Sequence, residues 1–251
     1  MALEHPSWGC GRIAAAIRER GWAISSPTAQ KTLIKHGLGR RSDRLKHLEA
    51  SLNTGNRRKL STEQITDLNG FNPRIRAIEH LNGGFFSTLV QDALPLSGPQ
   101  DERFLHVIVD LFSSFAWARL STGDRAREAA TLLDETVRTH HHLGITPLTL
   151  LTKKSGPFTS LHYRRRVGRY GFVWQRVKGR RHHGFIEAFL NAFRDEYAKL
   201  GPNPCDESIM KLVTIYNEDC LIEGFPNFGA TPKAAVDLQL AARMKLYRQH
   251  L

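Results

Sequence analysis

Phe104-Leu105-His106-Val107-Ile108-Val109-Asp110-Leu111-Phe112-Ser113-Ser114-Phe115-Ala116-Trp117-Ala118-Arg119-Leu120 decides how the chain is read. Phe104–Val109 is an apolar, β-branched run of the right length for a buried strand, and Phe115–Leu120 begins a second one. Between them Asp110, Ser113 and Ser114 supply turn chemistry, so the two strands form a hairpin. Upstream, Thr88–Ala93 has strand character. Downstream, residues 124–137 carry Ala126, Ala129, Ala130, Leu133 and Val137 along one helical stripe. Leu148–Thr152 reads as a short buried strand, His162–Arg169 as a basic helical patch, and Phe172–Val177 as another strand. Gly184–Leu200 reads as a helix burying Ile186, Phe189, Phe193 and Tyr197. Helices around Ile209–Tyr216 and Pro232–Tyr247 complete the chain. The order β-β-β-α-β-α-β-α predicts an α/β fold, a mixed sheet flanked by helices.

The N-terminal part has a different pattern. Gly11–Arg20 places Ile13, Ala14 and Ile17 on one helical face, and Gly21 ends that helix. Ser26-Pro27 opens a second helix, with Ser26 as N-cap and Pro27 at the first helical position. That helix turns Ala29, Leu33 and Ile34 inward and Thr28, Gln30, Lys31 and Lys35 outward, and it stops near His36-Gly37. Two short helices joined by a tight turn and followed by Arg40-Arg41 match a helix-turn-helix. Thr28, Gln30, Lys31, Lys35, Arg40 and Arg41 are therefore candidate DNA contacts. The chain divides into a helix-turn-helix region (1–41), a polar linker with short helices (42–86), a sheet-bearing core (87–200) and a C-terminal helical extension (201–251).

The 251 residues carry 36 Lys+Arg against 24 Asp+Glu, a net charge of +12. Such a balance favours a polyanionic partner, nucleic acid first. With 41% hydrophobic and 24% charged residues, general disorder is excluded. No apolar run approaches the roughly 20 residues of a membrane span, and no signal-peptide pattern begins the chain. Cys10, Cys205 and Cys220 lack CxxC spacing, which excludes a disulfide scaffold or thiolate zinc site and points to a reducing compartment. The charge is concentrated. Residues 136–186 hold eleven Lys/Arg and no Asp or Glu, residues 1–80 have a net +7, and the remainder has a net −6. In the first of these stretches Arg164, Arg165, Arg166, Arg169, Lys178, Arg180 and Arg181 are candidate phosphate contacts.

The chain resembles bacterial insertion-sequence transposases with a helix-turn-helix and an integrase-type (DDE) catalytic core. The resemblance rests on His5–Ala14 and Ser25–Leu38 for the helix-turn-helix, and on Leu89-Val90-Gln91-Asp92 for the first catalytic strand. It continues through Ile108–Ala116 for the hairpin and Gly184–Phe189, with Asp195-Glu196-Tyr197, for the glutamate-bearing helix. Tyr216-Asn217-Glu218 and Thr231-Pro232 are weaker landmarks. By this resemblance the core is ribonuclease-H-like, and Met1 falls inside the usual N-terminal region, so an upstream helical part is expected to be absent. The resemblance also implies double-stranded DNA as partner, a homodimer or larger self-assembly, and a bacterial cytoplasmic, nucleoid-associated setting.

Members of that family hold two divalent ions with three carboxylates, which stabilise the attacking and leaving oxygens. The resemblance makes Asp92 the first carboxylate and Glu187 the third. The second belongs in a Thr-Asp-Asn-Gly-type turn, where this chain has Thr152-Lys153-Lys154-Ser155-Gly156, with Lys153 at the aspartate position. Each unit-charge interaction at about 4 Å is worth roughly 4 kcal/mol at an effective dielectric near 20, so reversing the sign opposes metal binding strongly. The Asn-Gly pair before the glutamate helix is His183-Gly184 here, and the Arg after the glutamate is Ala188. Lys153 or Lys154 is therefore expected to pair with Asp92 or Glu187. Asp110 reads as a turn former, Ser155 lacks a paired base, and the 140–142 and 182–183 histidines read as helix-end or solvent residues. The expectation is a transposase-derived DNA-binding protein with a remnant Asp92/Glu187 pair and no cofactor, Mg²⁺ entering only if the site is active. A rearranged but active strand-transferase, and a basic structural protein meeting RNA or another protein, stand as alternatives.

Overall fold

The hairpin forms where the sequence places it. In the computed structural model, which describes residues 1–53, 60–72, 74–75, 87–96, 103–154, 156–177, 183–201 and 204–249, it comprises β2 (Phe104–Asp110) and β3 (Ala116–Ser121). Strand β1 (Thr88–Pro95) pairs antiparallel with β2, placing Asp92 opposite Val107. Strands β4 (Thr149–Lys153) and β5 (Val173–Val177) add in parallel, giving the sheet order β3-β2-β1-β4-β5. Parallel neighbours need crossovers. Helix α5 (Arg125–His142) supplies the first and α6 (Leu161–Gly168) lies in the second.

The hairpin turn is fastened from outside. Asp110 Oδ2 accepts from the Ser113 N–H and hydroxyl, both at 2.7 Å, and Ser114 takes a left-handed φ of 61°. Asn217 of α8 (Asp206–Glu218) accepts from Ala116 N–H at 2.9 Å and donates to Ala116 O at 2.8 Å. Asn227 donates to Ser113 O at 2.7 Å. The C-terminal part thus serves the edge of the sheet, although its sequence reads as an extension.

Asp124 caps α5 by accepting from Ala126 and Arg127 N–H, and the helix runs five residues past the expected Val137. Its stripe of Ala129, Ala130, Leu133 and Val137 packs with Leu89, Ile108, Leu150, Phe158, Tyr163 and Val167. Gln91 is buried in this layer, donating to Ala129 O at 2.7 Å and accepting from Tyr163 OH at 2.5 Å. Helix α7 (His183–Tyr197) buries Phe185, Ile186, Phe189 and Phe193 and packs against β1 and α8. Helix α9 (Pro232–Gln249) follows, and no described helix is long and apolar enough to cross a membrane.

Two histidines are buried on this sheet and helix. His106 shares a 2.8 Å hydrogen bond between Nε2 and Ser121 Oγ, and burial lowers its pKa to about 4. His140 bonds Thr136 O through Nδ1 at 2.5 Å and faces Trp117, and burial again lowers its pKa to about 4. His140 was expected at a helix end or in solvent; it sits on the last turns of α5 but points into the core. Because both folded pKa values lie below the unfolded value near 6.5, the unfolded chain binds more protons between them. Stability contributed by each neutral imidazole is full above about pH 6.5 and is lost on acidification towards pH 4, by at most about 3 kcal/mol apiece. Melting temperature should therefore fall steeply from pH 6.5 to 4, and less so in His106→Gln or His140→Gln.

Residues 1–75 form a separate compact unit. It contains α1 (Cys10–Glu19), α2 (Ser26–Lys35), α3 (Arg41–Ala50) and α4 (Thr62–Phe71). Its core includes Ile13, Ala14, Ala29, Leu45, Leu48 and Leu68. The polar stretch read as linker from residue 42 onward thus contributes two helices to this core, because its few leucines share one buried side. Arg44 reinforces α3 by donating to Trp8 O at 2.6 Å.

Two details of α2 differ from expectation. The N-cap is Ser25, whose Oγ accepts from Thr28 N–H at 3.2 Å, so Ser26 is already helical. Ile34, expected inward, is 61% exposed, since Ala29 and Leu33 alone point to the core.

Candidate functional site

Alternation along β1 sets the geometry of the candidate site. Gln91 faces α5, so Asp92 points to the opposite face of the sheet. Its side chain is only 4% exposed. Oδ1 accepts from Ala93 N–H at 2.8 Å, and Oδ2 lies 2.6 Å from Lys153 Nζ. The register explains the meeting. Thr152 sits beside Gln91 across the parallel pair, and Lys153, one residue on, projects to the Asp92 side. Thr152 is held by Trp174 Nε1, which donates to its Oγ1 at 3.0 Å. The expected lysine–carboxylate pair is thus made by Lys153 with Asp92, while Lys154 is exposed.

Glu187 is half-buried near the start of α7, between buried Ile186 and Phe189 on a helix that packs against β1. Among the described residues no group of three or more His, Cys, Asp or Glu side chains clusters as metal ligands. The donor set around Asp92 does not fit a two-ion centre. One oxygen faces an ammonium at hydrogen-bonding distance, where a cation ligand would have to be negative or neutral. Asp110 belongs to the hairpin turn, as its two bonds to Ser113 require.

The candidate DNA contacts divide by what already holds them. In the first unit Gln30, Lys31, Lys35 and Arg40 are exposed. Arg41 is exposed but donates to Asp67 at 2.8 Å, and Thr28 Oγ1 lies 2.8 Å from Ser25 Oγ within the cap of α2. In the second unit Arg164, Arg165 and Arg169 project from α6 and the turn after it. Arg166 is held by Asp134 at 3.2 Å, and the same carboxylate accepts from Tyr170 OH at 2.5 Å. Burial and that bond push the Tyr170 hydroxyl up to about 12. Arg176 is exposed on β5 and lies over the Trp174 ring at 5.3 Å. It belongs to the acid-free basic stretch 136–186, and its period-two spacing from Trp174 on β5 is the signal that marks it. Lys178, Arg180, Arg181, Ser155 and His182 lie outside the described residues, as does the side chain of His183.

No protein-family model and no curated protein matches the chain. Solved structures do. The intasome of simian T-cell lymphotropic virus in complex with PP2A regulatory subunit B56 gamma matches with a TM-score of 0.51 at 17% identity, over 61% of this chain and 55% of that one. The magnesium complex of the HTLV-2 integrase catalytic core, in its dimeric form, matches at 0.48 and 18% identity, over 61% and 97%. The BIV integrase catalytic core matches at 0.49 and 15% identity, over 65% and 99%. At these identities the likeness speaks for the fold: a five-stranded mixed sheet flanked by helices, the ribonuclease-H-like fold of integrase catalytic cores, preceded by an all-α unit.

Proposed function

We propose that the chain is a DNA-binding protein of transposase descent, built on an integrase-type core that does not cut or join strands. The observation that carries this reading is the 2.6 Å contact between Lys153 Nζ and Asp92 Oδ2. A carboxylate that would hold a divalent ion is neutralised instead by a side chain of the protein. Binding is supported by the exposed cations on α2 and α6 and by the net charge of +12. In this reading the first two helices act as a helix-turn-helix reading base edges. Arg164, Arg165, Arg169 and Arg176 meet phosphates, which carry affinity but no sequence information. Self-association and a cytoplasmic, nucleoid-associated setting belong to the same reading.

The test is duplex binding by the full chain across a salt series. If about six phosphate contacts form, affinity should fall about a thousandfold between 50 and 200 mM salt. Affinity that ignores salt, or an RNA duplex that displaces DNA with equal strength, contradicts the reading.

A further inference from the structure

Ile34 is an exposed apolar side chain among polar and charged neighbours on α2. It is 61% exposed on the last turn of α2, on the flank it shares with Gln30, on a helix whose inward positions are filled by Ala29 and Leu33. Its position is fixed. A Cβ built on Gly39 would stand 2.8 Å from Ile34 Cγ1, so the glycine backbone lies directly against this side chain and leaves the rest of it outward. The surroundings are polar and cationic. Gln30 lies one turn before Ile34, Lys31 three residues before it, Lys35 next to it and Arg40 just beyond the helix, all exposed. The hydroxyls of Thr28 and Thr32 are engaged locally, with Ser25 Oγ at 2.8 Å and Thr28 O at 3.0 Å. An apolar knob, one free amide and a ring of cations therefore make up the outward face of α2.

We infer that Ile34 and Gln30 read an A·T base pair in the major groove of duplex DNA, Ile34 covering the thymine methyl and Gln30 pairing with adenine. The inference rests on the proposal that α2 is the DNA-reading helix and names what it reads. Major-groove chemistry supports the assignment. Thymine C5-methyl is the apolar feature of that groove, and the paired acceptor N7 and donor N6 of adenine match a side-chain amide. The cations on the same face fit the flanking phosphates and exclude a neutral apolar protein partner, which they would desolvate at a cost. Gln30 and Ile34 stand one turn apart on the same side of α2, about 6 Å along its axis, close enough for the two side chains to meet the two halves of one base pair.

The test uses the full chain and a pool of 40-base-pair duplexes with a randomised centre. Wild type should enrich sites with an A·T pair at a fixed position. Replacing that thymidine by deoxyuridine, which removes only the methyl group, should weaken wild-type binding about fourfold, the factor carried by one buried methyl. Ile34→Ala should bind the two duplexes equally, and Gln30→Ala should lose the preference for adenine while keeping the salt dependence. Enriched sites without a fixed A·T pair, or equal wild-type affinity for thymidine and deoxyuridine duplexes, overturn the inference while leaving DNA binding intact. Failure of the chain to bind any duplex overturns the DNA-binding reading itself and the inference with it.

Discussion

Lys153→Met should lower the melting temperature by about 5–10 °C, the largest stability loss expected from a single change at the candidate site. The substitution keeps the length of the side chain and removes the ammonium that lies 2.6 Å from Asp92 Oδ2. The carboxylate, 4% exposed, then loses the cation beside it in a poorly solvated place. Breaking a buried pair from one side costs about 3–5 kcal/mol, and here the lysine is 37% exposed, so water softens this to about 2–3 kcal/mol. At about 2–4 °C per kcal/mol for a unit of this size, the stated shift follows. Adding Asp92→Asn to the same variant should restore most of the loss, because the buried position then no longer holds a carboxylate facing the site of the lost ammonium. A thermal-melt double-mutant cycle reads the coupling directly. Additive losses would mean that Lys153 and Asp92 are stabilised independently of each other.

The second large effect concerns binding. Reversing Arg164, Arg165 and Arg169 to Glu should halve the salt dependence of duplex binding, from a slope of about −5.4 to about −2.7 in log affinity against log salt. These three side chains are exposed, and α6 is held by Phe158, Tyr163 and Val167 on its buried side, so the fold should tolerate the change. Arg166→Glu is a different substitution. It places a second negative charge beside Asp134, which now holds Arg166 at 3.2 Å, and should destabilise the packing of α6 on α5. Circular dichroism melts and a fluorescence-anisotropy salt series separate the two variants.

The sheet was legible in the sequence because its strands are short apolar runs bounded by turn formers, as at Phe104–Asp110. The Lys153 contact was legible as a choice among pairs. Its register with β1 depends on a parallel pairing across the whole of α5, which no local pattern reports. Asp134 lies 32 residues from Arg166 in sequence, so the loss of that arginine as a free cation could only come from the packing of α6 on α5. Ile34 was read inward because apolar residues at helical spacing usually face a core, whereas the narrow buried stripe of α2 ends at Leu33. The polar stretch after residue 41 reads as a linker with short helices, and that α3 belongs to the core rests on buried Leu45 and Leu48, two apolar positions among charged ones.

In the proposed function this chain holds DNA but does not cut it, because a lysine stands at the candidate centre. The most direct test places the full chain at saturating concentration on the duplex enriched from the randomised pool, adds Mn²⁺ and looks for nicked or joined strands. Glu187→Ala serves as the control. Stable binding and no Mn²⁺-dependent product above that control are expected. A product that requires Mn²⁺ and disappears in Glu187→Ala would contradict the proposed function.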